Sequence, residues 1–366
     1  MPPTEKRLPV TLLTGFLGVG KTTLLNTILS TKAGPKIAVV VNEFGEAGLD
    51  HDLIEAVDED VVLMQSGCLC CSIRGDLSRT LQSLMFRRKT WRVKFDRIVI
   101  ETTGLADPGP ILQTFLADHY LASKFRIDGV VTVVDAAMGP DTLDRQFEAV
   151  SQVAMADLLV LSKTDLVPDA ASQAFEARLK TLNTTAKILR TQNGGVPTEA
   201  LWGLSGMHRQ GKTEPVMDWL MPNTPPTPDD PLSNLSGFVS APPPAAHSHL
   251  HDARIGSASI VLERPISADA FDLWLDTLIK LRGPDILRVK GIVHVEGVVT
   301  PFVFHGVQHL FDPPVPLHDW PAGNQQSRIV VIARDMTRPE LARSLDMLRA
   351  WQTNETAASL EKEIQP

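Results

Sequence analysis

The chain has 366 residues, of which 43% are apolar and 21% charged, and a formal charge of −8. That length exceeds the size at which a single core stops growing, so two domains are expected. The acidic balance argues against nucleic acid or an anionic membrane as the main partner, because phosphate surfaces call for a basic face, and no apolar run is long enough to span a bilayer.

The first element is read from KRLPVTLLTGFLG. A basic start before an apolar stretch fits a signal peptide, but VGKTT follows with no small-residue cleavage site. The stretch therefore reads as a buried first strand, Val10 to Leu13, and the chain as cytoplasmic. Next comes Gly15-x-x-x-x-Gly20-Lys21-Thr22, the P-loop spacing, followed by helical spacing over Thr22 to Leu29. Glycines such as Gly15, Gly18 and Gly20 let the backbone curl so that its N–H groups face phosphate oxygens, and the helix adds its positive end. Lys21 is expected to neutralise the β- and γ-phosphates and the Thr22 hydroxyl to ligate Mg²⁺.

Apolar strands recur at Lys36 to Val41, Arg97 to Ile100, Gly129 to Val134, Leu158 to Leu161 and Ala186 to Leu189, with helical stretches between. This alternation predicts an α/β fold, a mostly parallel sheet with helices on both faces. In such sheets ligands sit beyond the carboxyl ends of strands. Asn42, Glu43, Glu46 and Asp50 follow one strand on a loop suited to sensing a γ-phosphate. Glu101 ends another, where an acid would hold the Mg²⁺ shell, and Gly104 lies three residues on, where its N–H can meet the γ-phosphate. An acid merely capping a helix that begins at Thr102-Thr103-Gly104 is the alternative. Ser162-Lys163-Thr164-Asp165 ends a third strand and resembles the guanine-reading Asn-Lys-x-Asp sequence of GTPases. Asp165 can accept from the ring N–H and amino group of guanine, and adenine lacks that pair of donors. The Lys163 stem can lie over the base, whereas the short Ser162 hydroxyl replaces only part of an Asn amide.

All three cysteines stand in GCLCCS, at Cys68, Cys70 and Cys71. Three thiols cannot all pair within the chain, and clustered free thiols point to metal binding or redox chemistry. Cys68 and Cys71 have the Cys-x-x-Cys spacing of a thiol oxidoreductase without its thioredoxin-like frame. Inert buried cysteines are the other alternative. Thiolates suit Zn²⁺, Cu(I) and iron–sulfur clusters, and one isolated cluster leaves a tetrahedral shell incomplete, as suits a carrier. Cys70 and Cys71 are the expected main ligands.

Prolines crowd residues 221–244, so 221–252 reads as a linker between a first domain, 1–220, and a second, 253–366. His247, His249 and His251 alternate just before the second domain, either as a metal-capture arm or as a plain polar loop. The second domain reads as α+β. Strands are expected at Ser257 to Leu262, Ile286 to Val295, Val298 to Phe304 and Arg328 to Ala333. Helices are expected over Ala268 to Leu281 and Arg338 to Trp351. His294, His305, His309 and His318 read as structural, and His51 and His119 as surface or loop residues.

Five stretches in this order, TGFLGVGKTT, VNEFGE, GCLCC, ETTGLADP and SKTD, make the chain resemble the CobW family of P-loop GTPases. LRVKGIVHVEG, HGVQHLFDPP and RIVVIARDM are similar to that family's C-terminal domain. The resemblance implies a GTPase that carries a transition metal, most often Zn²⁺ and in some branches Co²⁺, and delivers it to a client metalloprotein. By position it gives nucleotide and Mg²⁺ binding to Gly15, Gly20, Lys21, Thr22 and Thr23, the Mg²⁺ acid to Glu101, base reading to Lys163 and Asp165, and metal binding to Cys68, Cys70 and Cys71. Some members carry a glutamate where Val41 stands here, so a fourth ligand would come from Glu43, Glu46, a histidine or water. A nucleotide-gated metal store or sensor with incidental hydrolysis is the rival reading, with a P-loop kinase for a small molecule behind it. An oligomer is compatible with either.

Overall fold

The structure, a computed structural model, describes residues 7–31, 35–42, 62–66, 73–90, 93–192, 195–204, 254–311, 313–317, 320 and 326–349. The cysteine cluster, the 43–50 loop, the 221–252 segment with its three histidines, His51 and His318 lie outside the described residues.

The first sheet is made of β1 (Leu8–Thr14), β2 (Ile37–Asn42), β3 (Val62–Ser66), β4 (Arg97–Thr102), β5 (Phe125–Asp135), β6 (Leu158–Ser162) and β7 (Lys187–Arg190). Its seven strands run in the order β3-β2-β4-β1-β5-β6-β7, and every pairing is parallel. Parallel strands buried on both faces need continuous apolar runs, as in β1 and β6. Strand alternation divides them. Leu13, Val39 and Val99 pack with Leu24, Leu25 and Ile28 of α1 (Lys21–Ser30). Leu12, Val40 and Ile98 face the other way, onto Leu81 of α2 (Ile73–Lys89) and Phe115 of α3 (Gly109–Ala117). The helices α4 (His119–Lys124), α5 (Gly139–Arg145), α6 (Phe147–Met155) and α7 (Asp169–Leu182) complete the layers. Each expected strand is present within one to four residues at its ends. β3 was not expected. Glu101 lies inside β4, and α3 starts only at Gly109, so Glu101 is no helix cap.

The second sheet is antiparallel. It contains β8 (Ile255–Leu262), β9 (Ile286–Val293), β10 (Phe302–Val307), β11 (Leu310–Phe311) and β13 (Ser327–Arg334) in the order β11-β10-β9-β13-β8, and β12 (Val315–Pro316) pairs with β10. One face carries α8 (Ala268–Arg282) and a helix over 338–349, here α9. Phe271, Trp274 and Leu278 of α8 meet Leu341, Leu345 and Leu348 of α9 in one core. β9 stops two residues short of the expected Val295, and β10 starts at Phe302 rather than Val298. Gly297 at φ 74° turns the chain there, and Pro301 has no N–H to give a ladder.

The opposite face of this sheet is not a free surface. Leu287, Val307, Val330 and Ile332 share one core with Ile111, Leu112, Phe115 and Met155 of the first layer. Within that contact Asp157, next to β6, takes the Arg288 guanidinium at 2.6 and 2.7 Å and the Lys290 ammonium at 2.9 Å, and all three side chains are at most 4% exposed. Gln113 of α3 also donates to Gln308, in the turn between β10 and β11.

Candidate functional site

β1 is central in the sheet, so the loop after it opens where β4 and β5 diverge on either side. Gly15, Gly18 and Gly20 all have positive φ, at 139°, 70° and 100°. A Cβ on Gly15 would stand 2.4 Å from the Val133 carbonyl, so the loop can pass β5 only at a glycine. α1 follows directly with no acidic residue in its first turn and no side-chain cap at its start, so none of its own carboxylates offsets its positive end. Lys21 Nζ donates to the Gly15 and Phe16 carbonyls at 2.9 and 3.0 Å, which bends the ammonium back over the loop. Thr23 is exposed beside it.

β4 brings the acid. Glu101, 7% exposed, accepts from the Thr22 hydroxyl at 3.5 Å. Seventy-nine residues apart in sequence, these two oxygens meet at the strand ends. One residue further along β4, the Thr102 hydroxyl donates to that of Thr14 at 2.9 Å and ties β4 to β1. Val41 is paired with Glu101 across the sheet and is buried, so an apolar side chain occupies that position. After β4 the chain turns through Gly104. A Cβ there would lie 2.5 Å from the Leu17 backbone N, so the turn lies directly against the P-loop.

At the other end of the site, Lys163 has φ 56°, a left-handed conformation that disfavours a side chain. Two bonds hold it there. Its ammonium donates to Asp135 at 2.6 Å and to the Gly18 carbonyl at 2.9 Å. Asp135, 4% exposed at the end of β5, also accepts from the N–H groups of Ala137 and Met138 and so closes the turn into α5. Ser162 donates to the Val19 carbonyl at 2.7 Å and to that of Val134 at 3.2 Å. Its hydroxyl therefore fastens the P-loop. Asp165 stands exposed in a short 3-10 turn, Thr164–Leu166.

The structure thus brings Gly15, Gly18, Gly20, Lys21, Thr22, Glu101 and Gly104 to one end of a continuous rim, and Lys163 and Asp165 to the other. Two residues on this rim were missed by sequence reasoning. Asp135 carried the same signal as Glu101, an acid ending an apolar strand. Gln152, on α6, was detectable only as a polar residue on an otherwise buried helix face; it donates to the Gly104 and Ala106 carbonyls. In the second layer His294 and His305 are buried, and His309 is exposed. His294 stacks edge-on against Trp320, and burial holds its imidazole below the ordinary histidine range. His119 is exposed at the start of α4. Among the described residues no three His, Cys, Asp or Glu side chains gather as a metal-ligand group. Among those residues no helix is long and apolar enough to cross a membrane.

A doubly covered parallel sheet with a glycine loop, lysine, hydroxyl and strand-end acid defines a P-loop nucleotide hydrolase, here joined to an antiparallel sheet domain. Comparison with known proteins goes further. The model for the CobW/HypB/UreG nucleotide-binding domain matches residues 9–190, and that for the cobalamin synthesis protein cobW C-terminal domain matches residues 255–349. The chain belongs to the CobW family and is a GTPase. The zinc chaperone YjiA of Escherichia coli (strain K12) is 31% identical over 338 residues, spanning 91% of this chain and 95% of that protein. The zinc-regulated GTPase metalloprotein activator 1 of Schizosaccharomyces pombe is 32% identical over 354 residues, spanning 90% and 83%. The crystal structure of Zn(II)-bound YjiA GTPase from E. coli superposes with a TM-score of 0.70 at 27% identity, covering 93% of this chain and 99% of that one.

Proposed function

We propose that the chain is a metal chaperone whose hold on a transition metal, Zn²⁺ first and Co²⁺ second, depends on the bound guanine nucleotide, and that it passes the metal to a client metalloprotein. Relatives named zinc chaperones over nearly their whole length support the reading. The observation that carries it is the position of β3. This strand ends at Ser66, two residues before Cys68, and it pairs with β2, which pairs with β4. Gln65 and Glu101 are both in register with Val41. Two strand spacings, roughly 10 Å, therefore separate the end of β3 from the strand that carries Glu101. A soft thiolate set entered from that rim would share it with the γ-phosphate end of the nucleotide site.

In this reading Gly15, Gly18, Gly20 and Thr23 cradle the phosphates. Lys21 neutralises the β- and γ-oxygens, and Gly104 meets the γ-phosphate. Lys163 and Asp165 select guanine. Thr22 and Glu101 are a hydroxyl and a carboxylate in mutual reach, hard oxygen donors that fit Mg²⁺. The ion would supply charge to the phosphate oxygens. Cys68, Cys70 and Cys71 hold the cargo, and the second domain, 253–366, meets the client. Coupling between the two sites is reciprocal, so GTP tightens metal by the factor with which metal tightens GTP.

The test is a metal titration of the reduced full chain with GTP analogue, with GDP and without nucleotide. An affinity difference of about tenfold or more between nucleotide states is expected, corresponding to about 1.4 kcal/mol. Cys70→Ser should abolish that difference while GDP binding to the metal-free chain is unchanged. Equal metal affinity in both nucleotide states would sink the chaperone reading and leave a GTPase.

A further inference from the structure

Gln152 is 1% exposed, and both of its amide N–H groups leave its own helix. They go to the carbonyls of Gly104 at 3.1 Å and Ala106 at 3.0 Å, in the turn after Glu101. The same turn is closed by Ala106 N–H donating to the Thr103 carbonyl at 3.1 Å. That carbonyl shares a rigid peptide plane with the Gly104 N–H. Four consecutive peptide units, from Thr103–Gly104 to Ala106–Asp107, are thus held, two of them by one side chain.

Gln152 itself stands on an immobilised helix. A helix end normally leaves its last carbonyls without partners. In α6 every carbonyl from Gln152 to Ala156 is taken from outside. The Thr132 hydroxyl donates to Gln152 O at 2.9 Å. The Asn183 amide donates to the carbonyls of Val153, Ala154 and Ala156 at 2.9, 3.1 and 2.9 Å. Arg288 of the second sheet donates to Met155 O at 2.5 Å. A shift of α6 would break bonds to β5, to the segment after α7 and to β9 at once. The remaining acceptor, Gln152 Oε1, is buried without a partner in the described structure. Gln152 borders a cavity of about 20 Å³ shared with Phe16, Thr132 and Asp135, which is room for one water.

We propose that Gln152 is a positioning residue for GTP hydrolysis: from a helix locked to both sheets, its amide holds the 104–106 turn so that the Gly104 N–H is aimed before the γ-phosphate arrives. This rests on the reading of Gly104 as a γ-phosphate contact. The backbone amide then stabilises charge developing on the phosphoryl oxygens without reorganising during the reaction. Loss of the clamp should therefore appear in kcat and not in the binding of a nucleotide that lacks the third phosphate.

The experiment uses the full chain with Gln152→Glu and Gln152→Met, which keep the side-chain length and remove the donors. Steady-state GTP hydrolysis, GDP affinity and Tm are measured together. The expected result is a fall in kcat of about tenfold or more in both variants, with KM for GTP and the affinity for GDP within about threefold. A kcat within about twofold of the parent in both overturns the proposal. So does a parallel loss of GDP affinity, the mark of a merely structural role. Gly104→Ala separates the two readings, because its Cβ, 2.5 Å from Leu17 N, displaces the turn directly. If Gly104→Ala still hydrolyses GTP, the γ-phosphate reading of Gly104 fails. If it does not, while both Gln152 variants do, only the role of Gln152 fails.

Discussion

Asp165 shows how much one exposed carboxylate can decide. It stands in a three-residue turn with its neighbours already spent on structure: Lys163 on Asp135 and Gly18, Thr164 on the Thr191 carbonyl, and Ser162 on the P-loop. In the proposed reading the carboxylate meets the paired N–H donors of guanine. An Asn there presents one acceptor and one donor, and the donor faces the base's own donors. Asp165→Asn should weaken GTP by about 100-fold, the loss of a charge-assisted hydrogen bond with some repulsion added. It should also erode the preference for GTP over xanthosine triphosphate; displacement of a fluorescent guanine nucleotide measures both. An unchanged preference would remove Asp165 from base reading. Much of the layout of this rim was legible in the sequence, because the P-loop spacing, the strand-end acid at Glu101 and the Lys163–Asp165 pair are local patterns carried by a few adjacent residues each. The role of Ser162 in the fold was not legible: its hydroxyl holds Val19 in the loop, a contact across 143 residues that no spacing could reveal.

At the scale of elements, α6 depends on a residue outside it. Asn183 is 1% exposed and satisfies all of its hydrogen-bonding capacity at once. Its amide nitrogen donates to the carbonyls of Val153 and Ala154 in α6 and of Ala156 just past it, and its oxygen accepts from Thr185 N, Thr185 Oγ1 and Ala186 N at 3.2, 3.1 and 3.0 Å. This residue both ends α6 and sets the turn into β7. Asn183→Ala leaves buried carbonyls without donors and should cost about 3 kcal/mol or more. Asn183→Asp should cost a similar amount, since a carboxylate would face three carbonyl oxygens. Urea unfolding checks this, and a change under about 1 kcal/mol would deny the role. The elements themselves were mostly readable, because parallel strands buried on both faces must be unbroken apolar runs. β3 escaped because it is short and mixes Met64 and Gln65 into its run. The start of β10 was misplaced because Val298 and Val299 are β-branched, yet they are 52% and 97% exposed in the turn that Gly297 makes.

Across the whole molecule, the two sheets are joined by a buried interface in which Asp157 faces Arg288 and Lys290. Burial alone would raise the Asp157 carboxyl, but Arg288 and Lys290 outweigh it and hold the group well below the usual carboxylate range. Burial pushes the Lys290 ammonium down to about 8 against the opposing pull of Asp157. The sense of this is plain: with Lys290 protonated the cluster carries one excess positive charge, and release of that proton leaves the neutral Arg288–Asp157 pair. Asp157→Asn removes a carboxylate that both cations share and should cost about 3–5 kcal/mol at neutral pH. Lys290 gives the pH dependence its sign. The folded chain releases this proton near pH 8 and the unfolded chain near 10.5, so between those values the unfolded state binds more protons. Stability from this group therefore rises with pH across that window. Asp157 acts at the acid end, where its contribution is present above about 3.8 and is lost as pH falls through its depressed folded value. Lys290→Met keeps volume, leaves Asp157 with Arg288, and should be as stable as the parent or more so at pH 7. The difference in urea stability between parent and Lys290→Met, followed from pH 7 to about pH 10, should move in favour of the parent as pH rises. A difference that stays flat, or moves toward the variant, would mean that the interface holds Lys290 charged throughout and that no proton leaves the join between the sheets.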